Sequence, residues 1–185
     1  MSRLKVSTFL TLDGVMQAPG DAGEFERGGW QLQFFDEGAG AIAKDGLFAA
    51  DALLLGRVTY EQFAAAWPAM TDEEGFAERM NSMPKFVAST TLTDAEWNAT
   101  IIRNVRADVP RLKRQYDLLV MGSGRLVQAL REHDLVDEYE VWIHPILLGA
   151  GERLFEDTTE TNALALTDTK TTDRGVTVLT YEVRR

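Results

Sequence analysis

The sequence predicts an α/β fold: a mostly parallel, helix-covered sheet that closes on an antiparallel hairpin. Three observations predict it. Ala52-Leu53-Leu54-Leu55 and Leu118-Leu119-Val120-Met121 are short, unbroken apolar runs, as strands buried on both faces of a parallel sheet require. Stretches of helical period alternate with them along the chain, the pattern of layered α/β domains. Near the end, segments 163–171 and 176–183 flank Asp173-Arg174-Gly175, which is a hairpin signal.

Taken in order, Leu4 to Leu12 reads as a first strand ended by the Asp13-Gly14 turn, and residues 17–29, rich in Gly, Asp and Glu, read as a loop. Phe34 to Phe48 reads as a helix despite Gly38, Gly40 and Gly46. After the Ala52–Leu55 strand, Gly56 turns the chain and Thr59-Tyr60-Glu61-Gln62 has the form of a capping box that opens a helix. Lys85 to Ser89 is the next strand. Thr93-Asp94-Ala95-Glu96 matches a second capping box, although Thr100 to Arg103 soon reads as extended. Asp108 to Tyr116 is a helix, Leu118 to Met121 a strand, Arg125 to His133 a helix, and Tyr139 to Leu147 a strand broken by Gly149-Ala150-Gly151.

A length of 185 residues fits one domain over 1–185, and an apolar fraction of 45% suffices for a real core. The formal net charge of −10 argues against a nucleic-acid partner, because phosphate-backbone binding needs a basic face, and against docking on anionic membranes. The chain has no cysteine, which removes disulfides, thiol catalysis and cysteine-ligated metals and suits a cytoplasmic protein. No apolar run approaches the roughly 18 residues of a membrane span, and the Met1–Leu12 stretch alternates too strongly for a signal peptide.

Ligands of open α/β sheets bind beyond the carboxyl ends of strands, so the strand-to-helix junctions are where a site is expected. At Gly122-Ser123-Gly124-Arg125 the glycines let backbone approach a phosphate, and the following helix offers free N–H groups at its positive dipole end; the same residues also suit a plain tight turn. At Gly56-Arg57-Val58-Thr59 an arginine beside a helix start suits an anion, or simply a neighbouring carboxylate. The hydroxyls of Ser89-Thr90-Thr91 could meet ribose or phosphate, or only close a turn. His133 and His144 lie on different elements without metal-ligand spacing, so no metal site is expected, and His144, ahead of Pro145, reads as a packed strand histidine. The acidic run Asp72-Glu73-Glu74 reads as a solvated face. Asp13 is the one acid at the end of a core strand, suited to turn formation or to chemistry.

Together the segments Thr11–Val15, Leu54–Glu61, Lys85–Leu92, Val120–Leu126, Leu135–Glu138 and His144–Gly151 resemble, in order, the dihydrofolate-reductase-like superfamily, in the branch related to the C-terminal reductase domain of the riboflavin-biosynthesis deaminase-reductase. The resemblance implies a three-layer αβα fold and NADPH as cofactor. It implies that Gly56, Arg57 and Thr59 meet the adenosine side and its 2′-phosphate, that Ser89 and Thr90 lie along the ribose, and that Gly122, Ser123, Gly124, Arg125 and Leu126 hold the pyrophosphate. Asp13 and Val15 would stand near nicotinamide and substrate. The acid that dihydrofolate reductases carry after a Trp-x-Leu lands here on Phe35, with Asp36 beside it as the substrate-side candidate. The riboflavin-pathway reductases have a lysine where this chain has Val15, and a glutamate where it has Met121 or Gly122. A homodimer is expected from the same resemblance.

The expected activity is hydride transfer from NADPH to a small heterocyclic, imine or carbonyl acceptor, similar to 5-amino-6-(5-phosphoribosylamino)uracil reduction. Asp13 is assigned as the group that orients or polarises the substrate, its pKa raised by desolvation so that it can relay a proton. The alternative is an NADP(H)-binding protein without turnover.

Overall fold

The structure, a computed structural model, describes residues 2–21, 23, 25–155 and 161–184. Residues 22 and 24 of the predicted 17–29 loop lie outside the described residues. In chain order the elements are β1 (Leu4–Thr11), α1 (Glu37–Ala49), β2 (Ala52–Gly56), α2 (Arg57–Ala66), α3 (Phe76–Ser82), β3 (Lys85–Ala88) and β4 (Ala99–Ile102). They continue with α4 (Val105–Leu112), β5 (Leu118–Met121), α5 (Gly124–Arg131), β6 (Glu138–His144), β7 (Leu164–Thr171) and β8 (Thr177–Val183).

The strands form one sheet in the order β4-β3-β2-β5-β1-β6-β8-β7. The first six are mutually parallel, while β8 runs antiparallel to both β6 and β7. Alternation along the strands assigns the two faces. Leu53, Leu55, Val87 and Leu119 pack against Leu47 of α1 and Ala50 just after it, Tyr60 of α2, and Met80 and Met83 around α3. Leu4, Val6, Leu54, Val120 and Val141 pack the other way, against Val109 of α4 and Leu126, Val127 and Leu130 of α5. Each such fully buried side chain contributes about 1.5–3 kcal/mol of transfer free energy. The result is the expected three-layer αβα arrangement. Beyond it, β7 forms an outer edge whose residues are nearly all exposed, Leu166 at 55%.

Local chemistry moves several element ends from their predicted places. The first helix starts at Glu37 and not at Phe34, because Leu32–Phe34 form a 3-10 turn and the Asp36 carboxylate caps α1 by accepting from the Ala39 N–H at 2.7 Å. Helix α2 starts at Arg57, directly at the end of β2, so Thr59 lies inside it and caps nothing. The predicted box at Thr93–Glu96 opens no helix. The Tyr60 hydroxyl accepts from the Glu96 N–H at 2.8 Å and donates to its carbonyl at 3.1 Å, which satisfies that backbone without helical pairing. Helix α4 is shifted toward the N-terminus of its predicted range by the Asn104 cap. Strand β6 ends at His144 because Pro145 has no N–H for the ladder. Helix α3 was not expected. It is capped from outside by Asp72, which accepts from Glu74, Phe76 and Ala77, so the acidic run is a capping element as well as a solvated face.

Candidate active site

Six parallel strands end on one edge, and that edge collects the junctions the sequence singled out. The residues following β4, β3, β2, β5 and β1 are Arg103, Ser89, Arg57, Gly122 and Leu12, in the order of the strands across the sheet. Strand β6 contributes His144 and Pro145 at the far side. The order places the Gly56-Arg57 and Gly122-Ser123-Gly124 turns on adjacent strands, since β2 pairs with β5.

Those two turns touch. A Cβ added to Gly56 would stand 2.2 Å from the Ser123 hydroxyl oxygen, so any larger residue there must displace Ser123. Gly122 has a φ of +76°, and nothing lies within 4 Å of the Cβ it lacks, so its backbone is open to a close-approaching ligand. Ser123 is also left-handed, with φ 63°. The helices that begin here differ from the rest. Side-chain carboxylates or amides meet the first-turn N–H groups of α1 (Asp36), α3 (Asp72) and α4 (Asn104). Among the described residues, no side chain caps α2 or α5. Two helix starts with free donors and positive dipole ends thus flank the Gly56–Ser123 contact, an arrangement that suits an anion. The buried Leu126 can take part only through its backbone, while the Arg125 side chain is exposed.

Toward the β3–β4 end, Arg57 is half exposed and donates to Glu61, one helical turn on, at 3.3 Å. Ser89 Oγ accepts from the N–H groups of Thr91 at 3.2 Å and Leu92 at 2.9 Å, which shapes the turn and leaves the hydroxyl hydrogen available. Thr90 is exposed and Thr59 half-buried.

On the β1–β6 side the turn after β1 is tied to the segment after β6. Asp13 accepts from the Thr11 hydroxyl at 2.5 Å, from the Leu148 N–H at 3.2 Å and from the Gly149 N–H at 2.7 Å. These bonds, the Thr11 hydroxyl first and Gly149 next, hold its carboxyl down at about 2. That overturns the expected raised pKa: desolvation is outweighed because the group is well supplied with donors. Asp13 therefore carries no proton to relay near neutral pH. Val15 is fully buried, in a backbone bridge to Arg153, with its methyl filling the space beside Gly151. Asp36 caps α1 and also accepts from the Arg174 N–H at 2.9 Å, and its carboxyl sits below the usual range, chiefly because of the Ala39 N–H.

Two features lay beyond local sequence reading, the Met16 contact and Arg103, while His144 is the packed strand histidine that its place ahead of Pro145 predicts. Met16 Sδ lies 3.0 Å from where a Gly124 Cβ would be, so the loop after β1 packs onto the α5 start. His144 is a packed strand histidine, 3% exposed: its Nδ1 lies 3.2 Å from the Leu10 carbonyl and 3.0 Å from that of Trp142, and Phe9, Trp30 and Phe34 surround the ring edge-on. Trp30 in turn donates to the Gln17 carbonyl at 2.9 Å, pinning the 17–30 loop to this box. Arg103, which no motif marked, donates to the Ser89 carbonyl at 2.8 Å. No helix among the described residues is long and apolar enough to cross a membrane.

This architecture is that of the dihydrofolate-reductase-like α/β proteins, and the comparisons with known proteins agree. A protein from Shewanella sp. PV-4, described as a candidate riboflavin biosynthesis protein, has the same fold with a TM-score of 0.73, 22% identity and 99% of each chain covered. The bifunctional diaminohydroxyphosphoribosylaminopyrimidine deaminase/5-amino-6-(5-phosphoribosylamino)uracil reductase of Thermotoga maritima follows at TM-score 0.66 and 13% identity, with 99% of this chain matching 57% of that one. At these identities the likeness concerns the fold. An uncharacterised Bacillus subtilis protein, YyaP, is 29% identical over 97% of this chain and 94% of its own length. The chain belongs to the RibD C-terminal domain family, whose profile matches residues 3–179. Membership supports a reductase-like role.

Proposed function

We propose that this chain is an NADPH-dependent reductase acting on a small heterocyclic, imine or carbonyl acceptor. The observation that carries the reading is the pair of uncapped helix starts, α2 and α5, on either side of the Gly56–Ser123 contact. A fold that caps its other helices with side chains leaves donors free where a pyrophosphate would lie. Bound NADPH would supply the hydride. The N–H groups and backbone of Gly122 to Leu126 would hold the pyrophosphate, and Gly56, Arg57, Thr59, Ser89 and Thr90 would hold the adenosine side. Asp13 and Val15 set the shape of the substrate side by fixing the turn after β1, and Asp36 does so by fixing the start of α1. With Asp13 held ionised, the proton that accompanies the hydride enters from water. The particular acceptor is proposed to resemble that of the uracil-reductase relatives. A homodimer is part of the proposal, favoured by the exposed apolar residues Leu164 and Leu166 on the edge strand β7.

A second reading, NADP(H) binding without turnover, is favoured by one observation: both acids of the substrate side are engaged in turn and cap hydrogen bonds. Thermal unfolding with NADPH, NADP⁺, NADH and NAD⁺, followed by absorbance assays with oxidised pyrimidine and pterin acceptors, tests both. At 100 times its Kd a ligand adds about 2.7 kcal/mol to stability. Stabilisation with oxidation of NADPH supports the reductase, and stabilisation without oxidation by any acceptor supports the second reading. No stabilisation by any of the four removes both.

A further inference from the structure

On the face of the sheet that α1 covers, the β1–β6 register pairs Phe9 with Trp142 and Thr11 with His144. The His144 ring therefore lies beside Phe9 and Trp142 at the carboxyl end of the pair. Phe34 and Phe35 bound the space from the segment before α1, and Ala39 and Ala43, one turn apart on α1, are too small to fill it. What remains is a crevice of about 260 Å³, counting its open mouth beside the exposed Phe35, with room inside for about one water. That much void with so little room for a sphere describes a thin slot, and a thin slot between aromatic walls admits flat molecules.

A buried polar atom faces this slot without a partner. His144 is 3% exposed, and its Nδ1 lies within reach of the Leu10 carbonyl at 3.2 Å and the Trp142 carbonyl at 3.0 Å. Carbonyls only accept, so Nδ1 carries the hydrogen, and burial keeps the ring neutral near pH 7. Nε2 is then a bare acceptor at the outer edge of the ring, and no group among the described residues donates to it. The aromatic N–H groups nearby are already spent, that of Trp142 on Ser7 and Glu140 and that of Trp30 on the Gln17 carbonyl. A buried acceptor left unmet is costly, so the donor it lacks is one that a ligand can bring. No charged side chain lines the slot among the described residues. Asp36 and Glu37 follow Phe35 at its mouth, and the neighbouring Arg174 spends an N–H on the Gln33 carbonyl at 2.7 Å. An anionic arm would be desolvated between the rings or set beside two acids.

We propose that His144 is a specificity-determining residue of the substrate side, its Nε2 accepting from an N–H or O–H of a flat, uncharged ring that enters between Phe35 and Trp142. The inference rests on the reductase reading above only in calling this ring the hydride acceptor. Within that reading it narrows the substrate class to heterocycles that carry a donor and no phosphate or carboxylate arm. Phe35, 55% exposed, is the wall with freedom to turn aside.

NMR titration of the intact protein tests this without turnover, with quinoxalin-2-one, its N-methyl derivative and its 3-carboxylate as probes. Wild type is expected to bind quinoxalin-2-one at least about tenfold more tightly than the N-methyl compound, which offers no donor, and than the carboxylate. His144→Asn keeps a donor where Nδ1 stands and removes the acceptor. It should lower the N–H preference to about twofold or less with N-methyl affinity unchanged, a constancy that a collapsed slot would not give. His144→Gln, which carries an amide oxygen toward the place of Nε2, should keep part of the preference. Equal binding of the parent and N-methyl probes by wild type, or full preference retained in His144→Asn, overturns the role of His144. A carboxylate probe bound as tightly as the parent overturns the uncharged class, and absence of parent binding overturns the whole proposal. Thermal unfolding with NADPH, run in parallel, separates the two readings. Stabilisation by NADPH without the N–H preference leaves the reductase and removes this inference; the preference without stabilisation removes the reductase and leaves a ring-binding slot.

Discussion

Gly56 and Ser123, 67 residues apart in the sequence, touch at the carboxyl edge of the sheet: the Cβ that Gly56 lacks would fall 2.2 Å from Ser123 Oγ and 3.0 Å from Ser123 Cβ. Gly56 has an ordinary φ of −77°, so space and not backbone conformation demands the glycine. Gly56→Ala should cost about 1–3 kcal/mol by overpacking. Ser123→Gly removes the opposing atoms and relieves a left-handed residue, so alone it should stabilise by about 1 kcal/mol. Combined with Gly56→Ala it should recover most of the loss. Urea unfolding of the double-mutant cycle measures this, and additive effects would show that the two residues do not press on each other.

Lys85 is 1% exposed, donates to the Asn81 and Met83 carbonyls at 3.2 and 2.8 Å, and lies 4.1 Å from the Trp97 ring centre. No carboxylate among the described residues pairs with it, and burial pulls its pKa from 10.5 down to about 8. Between those values the unfolded chain binds more protons than the native one, so stability should rise with pH across the window from about 8 to 10.5 and be lowest below it. Lys85→Met should flatten that rise. A denaturation series from pH 7 to about 10 that shows equal slopes in both proteins would mean the lysine stays charged in its cage.

His144 gives the acid-side counterpart. Burial lowers its pKa from 6.5, and the groups around its ring are Phe9, Trp30 and Phe34, with no carboxylate contact among the described residues. The unfolded chain takes up the proton first, so stability should begin to fall as pH drops through about 6.5. His144→Gln should blunt that onset. Tryptophan fluorescence is the readout to use, since Trp30 packs against the ring at 5.0 Å.

Asp13, held at about 2, stays ionised throughout the neutral range. Asp13→Asn should leave the shape of any turnover-versus-pH curve unchanged above about pH 4, because the carboxylate does not titrate there. Its effect should fall on acceptor KM, through the Leu148 and Gly149 N–H groups that lose a charged partner. Loss of a limb near neutrality in the variant would restore Asp13 as a proton carrier.

The strands were legible because their evidence is local: an unbroken run such as Leu118–Met121 fits a buried parallel strand whatever surrounds it. The junctions were legible for the same reason, since glycine and arginine at a strand end constrain the next few residues. Partnerships across the chain were not. Asp13 looked like a free acid because its donors at Leu148 and Gly149 lie 135 and 136 residues away. Helix α3 escaped notice because its cap, Asp72, reaches it across Gly75, whose φ of +79° is invisible in a one-dimensional pattern. Thr93–Glu96 looked like a cap because nothing nearby announces that Tyr60 claims the Glu96 backbone. Arg103 acquires meaning only when the β3–β4 register sets it beside Ser89.

The uncapped starts of α2 and α5 carry an evolutionary implication. What they offer is peptide N–H, which every residue except proline possesses. Descendants of such a chain can exchange most side chains along this edge and keep the same donors, provided the bare backbone at positions 56 and 122 survives. Divergence is thereby channelled to the opposite end of this edge, where the turn after β1 meets the segment after β6. On the proposed reading, paralogues would accordingly differ in the molecule they act upon long before they differ in the nucleotide they hold.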